Sequence, residues 1–139
     1  MINIALIAGT VMVHYEFLRQ LSAYLPKVPI QHRLRIIIGV LGALCAHIIE
    51  IWLFAFAYYF MINSGELGTL NGNFNSSLLD CSYYSFTTYT SLGFGDIEPK
   101  GNIRFVTGME ALIGLLMITW TASFLYIEMT RYWRNESDA

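Results

Sequence analysis

The chain has 139 residues, of which 55% are hydrophobic and 13% are charged, and its net charge is −2. Soluble domains carry about 25% charged residues, so this composition excludes an ordinary soluble domain. Between Arg35 and Glu66 only Glu50 is charged, and no charge lies between Glu110 and Glu128. Because a bilayer span needs about 20 mainly apolar residues, we predict an all-α integral membrane protein. We expect no nucleic-acid partner.

Five segments follow one another along the chain. Residues 2–25 form a first apolar span, and two prolines after it break the helix into a short elbow. Residues 33–62 form a second span of about 45 Å, with an aromatic end. Residues 63–76 are a polar, glycine-rich loop, residues 78–89 form a short helix, and residues 102–132 form the third span.

The basic residues predict which ends of the spans are cytoplasmic. Basic residues cluster in the connection between the first two spans and just after the last one: Arg19, Lys27, Arg33, Arg35, Arg131 and Arg134. Because basic residues near span ends mark the cytoplasmic side, we expect a multi-pass protein of the cell membrane. Its N-terminus would lie outside and its C-terminus in the cytoplasm.

No enzyme motif stands out in the sequence. We find no Walker-type loop, no catalytic triad and no zinc-spaced cysteine pattern, and therefore expect no enzymatic activity. Cys45 lies in mid-span and Cys81 near the outer surface, too far apart for a disulfide within one chain. No helix repeats Arg or Lys at every third position, so no voltage sensor is predicted.

The segment after the short helix carries most of the functional information: Ser91-Leu92-Gly93-Phe94-Gly95-Asp96. Glycine at every second position permits positive φ, which lets consecutive carbonyls point the same way. Four such strands around an axis would form rings of oxygens that replace the water shell of an ion. The stretch from Leu78 to Gly95 is too short to cross the membrane twice, so we predict a re-entrant loop lining a water-filled path.

This segment resembles the selectivity filter of potassium channels, whose usual form is Thr-Val-Gly-Tyr-Gly-Asp. Residues 33–132 resemble the two-transmembrane, single-pore-loop module of those channels. The resemblance implies a pore domain over residues 33–139, preceded by an additional helix and elbow at residues 1–32. It also implies a homotetramer around a central pore, in a lipid bilayer, with potassium as the permeant ion.

The resemblance also implies roles for the filter residues. Ser91 would offer its hydroxyl as the innermost ligand, and Leu92, Gly93, Phe94 and Gly95 would offer carbonyls. Serine, leucine and phenylalanine replace the usual threonine, valine and tyrosine. Because phenylalanine lacks the phenolic hydroxyl that braces the usual filter, the expected filter is softer. The function is then potassium-preferring cation conduction, with a weakly selective cation channel or a non-conducting scaffold or accessory subunit as alternatives.

Supporting positions follow from the same resemblance: Tyr83, Tyr84, Thr87, Thr90 and Asp96. Thr87 stands where some relatives place a glutamate that pairs with the aspartate, so Asp96 needs another partner. The stretch Glu110-Ala111-Leu112-Ile113-Gly114 resembles the inner-helix stretch that carries the gating-hinge glycine. Gly114 is then the hinge candidate and Gly108 the alternative, although small residues also allow close helix packing. For Glu110 we expect a structural hydrogen bond near the pore helix.

Four ionisable residues lie near the middle of the first two spans: His14, Glu16, His47 and Glu50. The two helices run in opposite directions, so the four share one depth, and His47 and Glu50 share one helical face. A histidine–carboxylate pair would attach the additional helix to the channel core. The alternative is a divalent metal site or proton sensor formed by His14, His47 and Glu50. Apart from that metal and the permeant ion, no cofactor is expected.

Overall fold

The computed structural model describes residues 2–65 and 67–137. The ends of the two predicted domains (Met1 and residues 138–139) lie outside this description, as do Glu66 and the side chains of residues 2, 32 and 132–137, including Arg134. In chain order the elements are α1 (Ile2–Tyr24), a 3₁₀ turn (Leu25–Lys27), α2 (His32–Ser64), β1 (Thr69–Gly72), α3 (Leu78–Tyr89), β2 (Ile97–Lys100) and α4 (Ile103–Ser137). Apart from one pair of short strands, the described fold is all-α.

Two of the described helices are long and apolar enough to cross a membrane, namely Arg33–Ser64 in α2 and Ile103–Arg131 in α4. Both expose large apolar side chains on the surface of the chain, such as Leu41 and Leu116. A surface of this kind suits lipid or a neighbouring subunit better than water. α1 does not reach the same apolarity, so its crossing of the membrane remains a prediction.

The core lies where α3 packs between α2 and α4. Its largest fully buried side chains are Phe54, Tyr58, Met61, Tyr89 and Ile103. α1 packs against the outside of the same two long helices. α2 and α4 therefore hold α3 between them and position its C-terminal end, from which the glycine-rich segment continues.

The loop predicted as irregular over residues 63–76 contains a strand. β1 pairs antiparallel with β2, with Gly72 opposite Ile97. Gly72 has φ +108°, and a Cβ added there would lie 2.2 Å from the carbonyl oxygen of Asp96. Glycine is therefore required for this close approach, and the two-stranded sheet joins the loop to the chain that follows the glycine-rich segment.

A capping arrangement begins α3. The side chain of Ser77 accepts a hydrogen bond from the backbone N–H of Asp80 at 3.0 Å, as helix N-cap residues do. The Asp80 carboxylate in turn accepts from the backbone N–H of Asn75 at 2.9 Å. Hydrogen bonds to the carboxylate, from the Asn75 backbone first and then from the Ser77 side chain, hold the pKa of Asp80 below its usual range. The start of α3 is thereby joined to the loop before it.

Candidate functional site

The backbone after α3 takes positive φ at every second residue. The φ angles are 58° at Ser91, 48° at Gly93 and 77° at Gly95, and neither Leu92 nor Phe94 has positive φ. A Cβ added at either glycine would meet no atom within 4 Å. The backbone conformation, and not a lack of space, therefore requires glycine here. Ser91 is a non-glycine residue in the left-handed region, which is uncommon.

The helix end sets the start of this segment. The Thr87 carbonyl accepts from the backbone N–H groups of Leu92 at 2.8 Å and Gly93 at 3.1 Å, and Ser91 N–H donates to the Thr88 carbonyl at 2.9 Å. With Ser91 in the left-handed conformation, this is a Schellman C-cap. The last turn of α3 thus directs the chain away from the helix at Leu92.

All five residues from Ser91 to Gly95 are exposed on the single chain. The side chain of Leu92 is 59% exposed and that of Phe94 is 65% exposed. Thr90, the C-cap residue, is exposed as well, and its hydroxyl donates to the Phe86 carbonyl in its own helix at 2.7 Å. No described part of the chain covers the segment, so its surface is available to ions or to other subunits.

Asp96 has a hydrogen-bond partner in α3. The Tyr83 hydroxyl donates to Asp96 Oδ2 at 2.9 Å. The sequence left this partner open, because Thr87 stands where a glutamate occurs in some relatives. The Thr87 hydroxyl donates instead to the Tyr84 carbonyl at 2.9 Å, within α3. Tyr83 therefore connects α3 to the residue that follows the glycine-rich segment.

The side chain of Tyr84 packs α3 against α2 and α4. Its side chain is 4% exposed, and its hydroxyl lies 2.9 Å from Thr107 Oγ1 in α4. The ring packs edge-on against Tyr58 of α2, with 5.1 Å between the ring centroids. Tyr84 thus contacts both long helices from α3.

Glu110 is fully buried and joins three helices. It accepts from Tyr58 of α2 at 2.5 Å through Oε2, and from Ser85 of α3 at 2.5 Å through Oε1. The expected hydrogen bond to the pore helix is present. The sequence did not identify Tyr58 and Ser85 as the donors. The only indication in the sequence was a carboxylate within an apolar span, because a buried carboxylate requires hydrogen-bond donors.

Gly114 lies in close contact with the end of α3. A Cβ added at Gly114 would lie 2.2 Å from the carbonyl oxygen of Tyr89, whereas one added at Gly108 would meet nothing within 4 Å. Close approach of α4 to α3 therefore accounts for glycine at position 114. Its role as a hinge remains a prediction.

The ionisable residues of the first two helices meet as one cluster. His14 Nδ1 lies 2.9 Å from Glu50 Oε1, and His47 Nδ1 lies 3.4 Å from Glu50 Oε2. His14 and Glu50 are fully buried. Tyr89 of α3 donates to Glu50 Oε2. The histidine–carboxylate pair thus attaches α1 to α2, as the sequence suggested.

α4 contributes a hydroxyl to the same cluster, whereas Glu16 lies apart from it. Thr121 Oγ1 is 3.3 Å from His14 Nε2 and 2.9 Å from His47 Nε2. The Glu16 carboxylate is paired with Arg19, one turn further along α1, at 2.7 Å. The cluster therefore includes side chains from all four helices.

Comparison with known proteins gives one match. A family model described as "ion channel" matches residues 46–131, which is more than half of the chain and extends from α2 through the glycine-rich segment into α4. No curated protein and no solved structure matches the chain.

Proposed function

Since this chain belongs to the ion channel family, with the two-transmembrane pore module matched at residues 46–131, we propose that it forms a homotetrameric, potassium-preferring cation channel. Ser91 to Gly95 are the selectivity filter in this proposal. The carbonyls of Leu92, Gly93, Phe94 and Gly95 and the hydroxyl of Ser91 contact the permeant ion. Conduction is passive, and no enzymatic step is involved.

The alternating backbone is the observation that carries the proposal. Positive φ at Ser91, Gly93 and Gly95 is the pattern that brings successive carbonyls to one side of an extended strand. The same residues are exposed and are held at both ends. The Thr87 carbonyl caps the inner end, and the Tyr83–Asp96 bond braces the outer end. Such a strand suits a ring of ion ligands completed by other subunits.

A tetramer follows from the geometry of ion coordination. One chain contributes one filter strand, and four strands around an axis are needed to surround a dehydrated potassium ion. Closed rotational symmetry is the usual arrangement of homo-oligomers. On α4, Leu115, Thr119 and Ser123 are exposed on the chain and lie four residues apart, so they share one helical face. We propose that this face lines the inner cavity.

Potassium preference is favoured over weak selectivity by the support of the filter. Phe94 cannot donate the hydrogen bond of the usual tyrosine. The Tyr83 hydroxyl instead holds Asp96 from within the same chain. This bond limits outward movement of Gly95 and so preserves the spacing of the carbonyls. The C-terminal end of α3, the proposed pore helix, carries a partial negative charge, which stabilises cations close to it.

The proposed orientation places the filter near the outer face of the cell membrane. α1 would cross the bilayer with its N-terminus outside, and α4 would end in the cytoplasm. The charges support this arrangement, since Lys27 and Arg33 lie in the connection between α1 and α2 and Arg131 lies near the end of α4. The pore domain then begins with α2, and α1 is an addition to it.

Ion flux into liposomes that contain the purified full-length protein tests the proposal. We expect potassium flux to exceed sodium flux, and Gly93→Ala to abolish both, because alanine disfavours the φ of 48° at that position. Gly65→Ala is the matched control: Gly65 has φ +71° and open space around it, but it lies at the end of α2, away from the filter.

The other outcomes are informative. Equal potassium and sodium fluxes would favour a weakly selective cation channel. Absence of flux from wild type, with an intact tetramer by crosslinking, would favour a non-conducting scaffold or accessory subunit. Flux retained in Gly93→Ala would contradict the assignment of the filter.

A further inference from the structure

We propose that His14, His47 and Glu50 form a binding site for one divalent transition-metal ion of the Zn²⁺ class, apart from the ion-conducting segment. The site would join α1 to α2. One ligand atom from each of the three residues lies within 4.8 Å of the others, and no other described group of histidine, cysteine and acidic side chains has this arrangement.

The distances are close to those of a metal site. Zinc binds imidazole nitrogen at about 2.0–2.1 Å and carboxylate oxygen at about 2.0–2.2 Å, so ligands in a tetrahedral site are about 3.3 Å apart. Glu50 already lies 2.9 Å from His14 Nδ1 through Oε1 and 3.4 Å from His47 Nδ1 through Oε2. The three ligand atoms lie within 4.8 Å of one another, so the widest separation has to close by at most about 1.5 Å when a metal binds.

The hydrogen bonds of Thr121 favour the histidine tautomers that a metal requires. Its oxygen faces Nε2 of both His14 and His47, at 3.3 Å and 2.9 Å. A hydroxyl has one proton and cannot donate to both rings, but it has two lone pairs and can accept from both. If both rings carry their proton on Nε2, both contacts are satisfied. Metal binding through Nδ1 would then replace the protons that the two Nδ1 atoms donate to Glu50 Oε1 and to the Tyr89 hydroxyl in the metal-free protein.

The surroundings of Glu50 complete this arrangement. Tyr89 donates to Glu50 Oε2, which leaves Oε1 for the metal, and its hydroxyl lies 2.9 Å from His47 Nδ1. Tyr89 is therefore placed to orient the carboxylate or to occupy a fourth position. Metal-binding histidines and carboxylates are usually held in this way by outer hydrogen bonds.

The donor types decide the class of metal. Two imidazoles and one carboxylate suit zinc and other first-row transition metals, whereas magnesium and calcium prefer sites made of oxygen alone. Of the three ligand residues, His47 is the least buried. His47 is 13% exposed and lies at the wall of an otherwise apolar cavity of about 400 Å³ between α2, α3 and α4.

Metal content of the purified full-length protein tests the site. After equilibration with micromolar Zn²⁺ and removal of loosely bound ions, wild type is expected to retain one zinc per chain by elemental analysis. His47→Ala and Glu50→Gln are expected to lose it. Two controls should retain it: His32→Ala, which changes the remaining histidine of the chain, and Glu16→Gln, which changes the carboxylate paired with Arg19.

A further variant tests the site without removing a ligand, in case the ligand variants fail to fold. Thr121→Val keeps all three ligands but removes the acceptor shared by the two Nε2–H groups. It is expected to weaken zinc affinity by about 10–100-fold, in the range found for outer hydrogen-bond partners of metal ligands. Each variant must elute from a sizing column as wild type does.

X-ray absorption of the zinc-loaded wild type provides a readout that requires no substitution. We expect nitrogen and oxygen neighbours at about 2.0–2.1 Å, with the scattering pattern of two imidazoles. Sulfur neighbours at about 2.3 Å would assign the ion to a cysteine instead and overturn the proposal. So would wild type without bound zinc, or His47→Ala with its zinc undiminished.

Discussion

Replacing Gly114 by alanine is expected to destabilise the protein, whereas the same change at Gly108 is not. The added Cβ at position 114 would lie 2.2 Å from the carbonyl oxygen of Tyr89 and 2.9 Å from its carbonyl carbon, and ordinary contact begins at 3.4 Å. A backbone carbonyl at the end of α3 cannot rotate away as the tip of a side chain can. α4 and α3 must therefore separate.

The expected magnitude combines two opposite effects. Overpacking of a close contact typically costs about 1–3 kcal/mol. Alanine in a helix interior gains about 1 kcal/mol over glycine, which offsets part of that cost. Because the contact at 2.2 Å is severe, we take the upper part of that range, about 2–3 kcal/mol, which leaves a net loss of about 1–2 kcal/mol for Gly114→Ala. For Gly108→Ala, where nothing lies within 4 Å, only the gain of up to about 1 kcal/mol applies.

Thermal unfolding of the two purified variants beside wild type is the assay. The predicted difference between them of about 1–3 kcal/mol corresponds to roughly 2–12 °C in Tm. Single-channel recording of the same proteins separates packing from a hinge. If Gly114→Ala unfolds at the wild-type temperature but its open probability falls, then bending at this glycine matters, and the argument from close contact is refuted.

Three further predictions concern other polar contacts. Tyr83→Phe removes the donor to Asp96 and is expected to lower the potassium-to-sodium permeability ratio measured by reversal potentials; an unchanged ratio would show that this bond does not support selectivity. Tyr58→Phe leaves a carboxylate oxygen of buried Glu110 without its donor and is expected to cost about 1–3 kcal/mol in thermal unfolding. Hydrogen bonds from the preceding loop lower the pKa of Asp80, so the stability it contributes is complete above its ordinary pKa of 3.8 and is lost as pH falls through the lowered, folded value. Unfolding measured between pH 5 and 2 should therefore depend less on pH in Asp80→Asn, and an unchanged pH dependence would contradict this assignment.

The helices could be predicted because each depends on a long run of one composition. The second span was predicted at residues 33–62 and α2 extends over His32–Ser64; α3 begins and ends at the predicted residues. α4 continues to Ser137, beyond the predicted end near residue 132, because its polar last residues include no helix breaker. The two-stranded sheet was not predicted, because Thr69–Gly72 is short and polar and its partner strand follows α3 and the glycine-rich segment.

Some features of the candidate site could likewise be predicted from the sequence, and others could not. The alternating backbone of the proposed filter could be predicted from the glycine spacing, because positive φ is a property of the local backbone. The partners of Asp96 and Glu110 were not readable, because tyrosine and serine hydroxyls occur on several faces of α2 and α3. The shared depth of His14 and Glu50 followed from helix lengths, but the contribution of Thr121 required the packing of α4.

The sequence by itself determined a membrane chain with a filter-like segment between two apolar helices, because hydropathy, helix length and glycine spacing act over a few neighbouring residues. Only the tertiary structure decided which side chains meet. It placed Tyr83 on Asp96, Gly114 against the Tyr89 carbonyl, and Thr121 between two imidazoles. The physical reason is that contacts between helices depend on their crossing angle and relative rotation, which are set by the whole core and not by any one segment.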